Sequence, residues 1–477
     1  MPVTSPASTA LVQAYQRGLR DLPREHGFEP LTVEGALPPD LQGTLYLNGP
    51  GLFALFGRPY EHWFDGDGAM TAVRFGGAAP GVAGAVRLVE SRGLLKERAD
   101  GRQRYTSGST LAPRWADRLG LRLKNVANTR PLLWNDRLFA LYEAGLPTEL
   151  DRESLATVGE TDEGGQIKGY FSAHCHEVPS RRAFYNFSIQ RGRQNLLHLY
   201  ELPAGAPVRR IGSVPLPTSS AMIHDFMATE THLVFFVPPV RFRLLPMLLG
   251  TKAPLQAMQW RGQEGTTVIV VPIDAPGRYK TFEVEPFFQY HFLNAYDQGS
   301  DIVVDFIRVM DFESAFNSHN KEARAEKAVT HGRLFRAIVQ PAQGRVQFEQ
   351  RWSQPCEFPQ VAPAVQGRPY RFGYVLAANE GEPQTGIAKV DLDSGQVESG
   401  SLGERQFPGE AVFVPRPGSN GEDDGHLLSM AYDSATDRSF IAVLDAKQPG
   451  RGPLARAWFD HHIPRPLHGV WSGQAAA

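Results

Sequence analysis

Apolar and polar positions along this chain fall into short alternating runs, and long helical periods are scarce. The runs "LVFFV" (233–237), "TVIVV" (267–271), "DIVVDFIRV" (301–309) and "SFIAVLDA" (439–446) are β-branched and aromatic. Each is bounded by turn residues, which predicts buried strands. One degenerate unit recurs, an apolar strand, then Asp, then a turn. It appears as "VIVVPIDAPG" with Asp274, "GIAKVDLDSG" with Asp391 and "FIAVLDAKQPG" with Asp445. The last two aspartates are 54 residues apart and the first two 117, about twice that. A period of roughly 55 to 60 residues holds four short strands and predicts propeller blades, about seven of them after an N-terminal arm. A pair of β-sandwiches is the competing arrangement. The arm, residues 1–30, lacks a continuous apolar run and reads as a short extension or amphipathic helix, not a signal peptide. No linker divides the remainder of the chain, so 1–477 is expected to form one domain.

Composition narrows the possibilities. The 47 glycines and 37 prolines suit many tight turns. A net charge of −2 gives no electrostatic footprint for nucleic acid. Two cysteines, Cys175 and Cys356, make no disulfide framework and point to a reducing compartment. No apolar run is long enough for a transmembrane helix. "FDGDG" (64–68) mimics part of a calcium loop without its later ligands and reads as a tight turn.

One stretch differs from the rest. "FFVPPVRFRLLPMLLG" (235–250) gathers Phe242, Leu244, Leu245, Met247, Leu248 and Leu249 around Arg241 and Arg243. Pro238, Pro239 and Pro246 argue against a continuing strand. It is either a loop folded onto the core or an exposed apolar patch whose arginines meet lipid headgroups.

The chemistry rests on histidines. There is no helical HExxH, no cysteine pairing for zinc, no GxSxG elbow and no phosphate-binding glycine loop. Four of the 14 histidines interrupt or follow apolar segments: His174 in "FSAHCHEVP", His224 in "AMIHDFMATE", His291 in "PFFQYHFLNAYD" and His468 in "HHIPRPLHGVW". Each alone reads as an ordinary core histidine. Scattered over more than half the chain, they form no local motif. Separate blades could send one imidazole each to a shared axis, where they would bind a first-row transition metal. Three glutamates in apolar settings, Glu143, Glu357 and Glu410, are candidates for the orienting carboxylates such ligands need. His176, two residues after His174, is an alternative to it. His461 and His462 read as bystanders.

At these residues the sequence resembles the carotenoid cleavage oxygenases, and within them the bacterial apocarotenoid-cleaving members. The matching segments run from "LPPDLQGTLYLNGPG" (37–51) and "HWFDGDGAM" (62–70) through "LRLKNVANT" (121–129), "IHDF" (223–226), "HFLNAYD" (291–297), "CEFPQVAPAVQGRPYRFGY" (356–374) and "GEAVFVPRPG" (409–418) to "EDDGHLLSMAYD" (422–433) and "HHIPRPLHG" (461–469). The resemblance implies an all-β, seven-bladed propeller with a loop and helix cap over an axial non-haem Fe(2+). His174, His224, His291 and His468 would bind the iron, and Glu143, Glu357 and Glu410 would support His224, His291 and His468 in that order. The family often has Pro after its first ligand, whereas Cys175 stands here; the "SAH" match favours His174 over His176. The implied reaction is scission of one conjugated C=C bond by O2 to two carbonyl products, centrally at the 15,15' position of an apocarotenal to give retinal-type products. Tyr142, Phe226, Phe288 and Tyr290 are candidate tunnel walls. The substrate, a lipophilic polyene, would come from a membrane. That gives Phe242, Leu244, Leu245, Leu248 and Leu249 a role in peripheral attachment to an inner, cytoplasmic membrane face. A stilbene-cleaving relative is the alternative, and a non-catalytic metal-binding propeller the rival from another class.

Overall fold

The computed structural model describes residues 6–76, 81–119, 122–216, 222–312 and 332–473. Its strands form seven blades around one axis, almost wholly antiparallel. The second blade, Arg130–Trp134, Arg137–Leu141, Thr148–Leu150 and Thr157–Glu160, shows the plan, four strands connected as a meander. The fifth and sixth blades share one long strand, Arg345–Gln360, which bends at a register shift between Glu357 and Gln360. Its first half closes one blade and its last residues open the next, so the two appear as one seven-stranded sheet.

Closure uses both chain ends. The C-terminal strand His468–Gly473 is the inner strand of the first blade, pairing with Gly43–Leu52 so that His468 faces Asn48. The N-terminal strand Thr32–Gly35 is the outer strand of the seventh, on Ala455–Trp458. Each terminus thus completes a blade begun by the other, which closes the ring and removes two open sheet edges. Gly469 lets the strands close tightly at this seam, where a Cβ would fall 2.6 Å from a Leu47 methyl and 2.8 Å from a Val412 methyl and force both to shift. The N-terminal arm holds a helix, Pro6–Arg17, whose buried Ala14 and Tyr15 join the core between the sixth and seventh blades.

The apolar runs behave as the sequence predicts. "LVFFV", "TVIVV" and "SFIAVLDA" are almost fully buried strands. Their side chains form the layers between blades, where sheet packs face to face on sheet. The three recurring aspartates share a structural position, at or just past the end of the third strand of their blades. There the Asp391 and Asp445 carboxylates accept backbone N–H groups of the following turn.

The 235–250 stretch ends one strand of the fourth blade, His232–Val237, and begins an insertion before the next, Thr266–Pro272. Its prolines end the strand. The chain then makes a short hairpin, Val240–Phe242 against Met258–Trp260, carrying two short helices, Leu244–Leu248 and Pro254–Ala257. Among the described residues no helix is long and apolar enough to cross a membrane.

Candidate metal centre

Each blade contributes one histidine or glutamate to the cluster at the axis. His468 opens the inner strand of the first. Glu143 follows the second strand of the second, and His174 lies in the loop between Tyr170–Phe171 and His176–Val178 of the third. His224 and His291 precede the inner strands of the fourth and fifth, while Glu357 and Glu410 lie on those of the sixth and seventh.

The four imidazoles converge. His174 Nε2 lies 3.1 Å from His224 Nε2, which lies 3.4 Å from His291 Nε2. These three offer ligand atoms all within 4.8 Å of one another. His468 completes the cluster, its ring centroid 4.9 Å from that of His174 and 4.8 Å from that of His291.

Three rings have a carboxylate behind them. Glu143 lies 2.6 Å from His224 Nδ1, Glu357 2.6 Å from His291 Nδ1 and Glu410 2.8 Å from His468 Nδ1. An ionised carboxylate only accepts, so each Nδ1 donates and each Nε2 keeps its lone pair. His224 and His291 then face each other lone pair to lone pair, an arrangement a cation relieves. Two imidazoles at right angles on a metal with bonds of about 2.1 Å would place their nitrogens about 3 Å apart, close to the spacing here. The donor set fits a borderline transition metal, with neutral nitrogen donors and no carboxylate among the converging atoms.

The ring of His174 is backed differently. Its Nδ1 lies 3.5 Å from an Arg130 guanidinium nitrogen, long for a hydrogen bond, and its backbone N–H donates to Ser172 Oγ. Burial, the neighbouring rings and Arg130 all hold its pKa well below the ordinary value. Burial likewise pushes His468 down to about 4 despite Glu410. Burial opposes a charge on His291 too, but Glu357 and Asp225 outweigh it and raise its pKa. Burial would raise Glu357 and Glu410, but His291 and His468 respectively hold each below the usual range.

His176 turns away from the cluster. Its Nε2 lies 2.6 Å from Asp225, and it pairs with Tyr185 at the start of its strand. Two residues apart on one strand the two rings would share a face, but His174 lies in a loop, outside the strand alternation, and the rings part. His461 and His462 are also elsewhere, on Asp460 and on the Asp21 carbonyl.

Sequence reasoning missed three residues that frame the site. Asp225, directly after His224, accepts from His176 and from the Phe292 backbone N–H, tying together the chain at three of the histidines. Gln360 donates to Glu410 Oε1 at 2.7 Å. Arg130 adds the positive charge behind His174. The signal for Asp225 was its position beside a candidate ligand in "IHDF"; nothing local marked the other two.

A cavity of about 340 Å³ reaches Glu143 from outside and is lined mainly by apolar side chains, including Phe64, Leu123, Ile189, Met222, Leu255 and Met258. Tyr142 lines it. Tyr290 stands between Phe64 and the metal-facing rings, 5.2 Å edge-on from His224. Phe226 and Phe288 correct the tunnel expectation. Phe226 stacks on Phe235 at 5.0 Å in the core between blades, and Phe288 packs behind Tyr290 at 4.8 Å. Their apolar neighbours predicted burial, which a core position and a tunnel wall share.

The apolar segment borders the same cavity. Leu244, Leu245, Leu248 and Leu249 are 46%, 66%, 56% and 51% exposed. Phe242 is half-buried and Met247 buried, both lining the cavity. Exposed Trp115 and Leu119 flank Arg118, whose side chain abuts Gly250, so they widen the patch.

A family profile described as retinal pigment epithelial membrane protein, RPE65, matches residues 19–473. The chain belongs to this family, the carotenoid cleavage oxygenases. It is 36% identical to an apocarotenoid-15,15'-oxygenase of Synechocystis sp., over 99% of both proteins. It is 25% identical to a carotenoid cleavage oxygenase of Mycobacterium tuberculosis, over 93% of this chain and 94% of that one. The crystal structure of the cobalt-substituted Synechocystis enzyme superposes with a TM-score of 0.89 at 35% identity, covering 97% of this chain and 99% of the other. Membership in this family brings a β-propeller of the same plan as the blades described above.

Proposed function

We propose that the protein is a non-haem iron dioxygenase that cleaves one conjugated C=C bond of an apocarotenoid with O2, one oxygen atom going to each of two carbonyl products. The observation that carries this is the convergence of four imidazoles, three backed by glutamates, beside an apolar cavity in a member of this family. The Synechocystis relative is a 15,15'-oxygenase of apocarotenoids. Central scission to retinal-type products is the finer reading for this chain.

His174, His224, His291 and His468 would hold Fe(2+), which would supply the means to bind and activate O2. The chain's own part is positioning. Glu143, Glu357 and Glu410 fix the Nδ1–H tautomers of three ligands, so that each Nε2 is presented inward. Neutral imidazoles leave the ion its full charge. The lining holds an extended polyene against the site and keeps water away. No side chain has to donate or remove a proton in the main step, in keeping with a cavity whose described lining residues offer no acid–base pair beyond the histidine–glutamate set.

The substrate would be taken from a membrane. The exposed leucines beside the cavity, with Trp115 and Leu119, support peripheral attachment, and the two buried cysteines suit a cytoplasmic setting. The whole chain would act as one domain behind its N-terminal arm. Incubating the iron-loaded protein in air with an apocarotenal, a full-length carotene and a hydroxystilbene, then weighing the carbonyl products by mass spectrometry, tests the reading. A retinal-type aldehyde from the apocarotenal is expected. Cleavage of the stilbene alone would overturn it.

A further inference from the structure

Two charged side chains line the cavity among the described residues, Glu143 and Arg191. Glu143 is engaged by His224. Arg191 lies in the turn after strand Ala183–Gln190, its guanidinium 5.3 Å over the ring of Phe242, next to the exposed leucines. Tyr170 also lines the cavity and pairs with Ile189, two residues before Arg191. Tyr142 and Tyr170 thus share the cavity wall with Glu143, at the metal-facing end, and with the one guanidinium near the patch.

A conjugated chain poses a problem that apolar walls do not solve. Sliding a polyene along an apolar channel by one double bond leaves nearly the same contacts, so the channel holds the chain without fixing its register. A directional contact at one end does fix it, because a site built to hydrogen-bond an oxygen discriminates strongly against a chain that lacks one. Guanidinium offers five donors and no acceptor.

We propose that Arg191, with Tyr170 beside it, binds the oxygen-bearing end group of the polyene and thereby sets which double bond stands at the histidine cluster. The ligand class is a polyene ending in an aldehyde, carboxylate or hydroxyl, in preference to a hydrocarbon of equal length. This rests on the dioxygenase reading above.

The test uses the full, iron-loaded chain under argon. Quenching of tryptophan fluorescence gives the affinity for detergent-dispersed apocarotenal and for a hydrocarbon polyene of matched length. The parent should prefer the aldehyde by roughly tenfold or more, the size of one charge-assisted hydrogen bond. Arg191→Met should lose that preference while binding the hydrocarbon as the parent does, and Arg191→Lys should fall between. In air the parent should give one pair of aldehydes, and Arg191→Met several pairs of shifted length. Should Arg191→Met fail to fold, Arg191→Gln is judged by the same two readouts. Retention of both the preference and the single product pair overturns the inference. So does a variant that keeps both but loses binding to anionic phospholipid vesicles, which would assign Arg191 to the lipid surface. Failure of the parent to cleave any polyene would instead overturn the proposed reaction.

Discussion

Glu143 Oε2 lies 2.6 Å from His224 Nδ1, two side chains 81 residues apart in sequence. The contact joins two blades that do not neighbour each other, and Glu143 also lines the cavity, its side chain 28% exposed. Glu410 makes the equivalent contact with His468 while only 3% exposed, and it accepts two further hydrogen bonds, from Gln360 and the Gly469 backbone. Glu410→Gln should therefore weaken metal binding more than Glu143→Gln does. Losing such an outer carboxylate typically costs about 10- to 100-fold in affinity or activity. Chelator competition at fixed iron compares the two, and equal retention in both variants would show that the glutamates do not orient their histidines.

His174→Ala should abolish metal retention, while His176→Ala should largely spare it. The first removes a converging Nε2. The second removes a ring held by Asp225, at a cost in stability of about 1–3 kcal/mol for one lost hydrogen bond to a carboxylate that keeps its backbone partners. Metal analysis alongside thermal melting separates the two effects, and the opposite ranking in metal content would assign the site to the wrong histidine.

Asp65 gives a pH dependence away from the metal. It is fully buried, accepting from the Ser109 N–H and the Thr110 hydroxyl, and burial pushes its pKa up to about 6. Between its ordinary pKa and 6 the folded state binds more protons than the unfolded one, so stability falls as pH rises through that window. The size is up to about 3 kcal/mol. Asp65→Asn removes this slope. The stability of the variant relative to the parent should rise between pH 4.5 and 7.5, read by urea titration; a constant difference across that range would show that Asp65 titrates normally.

Replacing Leu244, Leu245, Leu248 and Leu249 with Ser should move the protein from the liposome pellet to the supernatant. Each fully inserted leucine contributes roughly 1.5 to 3 kcal/mol, so even partial insertion of four gives reversible attachment. All four are about half or more exposed, so the change should leave the melting temperature nearly intact. A variant that sediments like the parent would exclude the patch from membrane attachment.

Much of the fold was legible in the sequence because buried strands advertise themselves. Runs such as "LVFFV" and "TVIVV" admit few other structures, and the recurring aspartates marked the ends of third strands. Ring closure was not legible, since the pairing of His468 with Asn48 joins opposite ends of the chain and leaves no local trace. The histidines could be singled out by their apolar contexts, but their convergence, and the assignment of each glutamate to one histidine, came from family resemblance. Burial and tunnel lining draw on the same residue types, which is why Phe226 could not be told from Tyr142. Strand alternation would have left His174 and His176 on one face, and the loop at His174, which no local pattern marked, is what separates them.

The proposed chemistry depends above all on a single iron whose protein ligands are histidine nitrogens. Elemental analysis of the protein grown with iron, combined with X-ray absorption at the iron edge, is the sharpest test of that site. One iron per chain is expected, with a first coordination sphere of nitrogen and oxygen scatterers, about four of them imidazole, lost in His174→Ala. Stoichiometric zinc, sulfur scatterers from Cys175 or Cys356, or an unchanged spectrum in His174→Ala would contradict it.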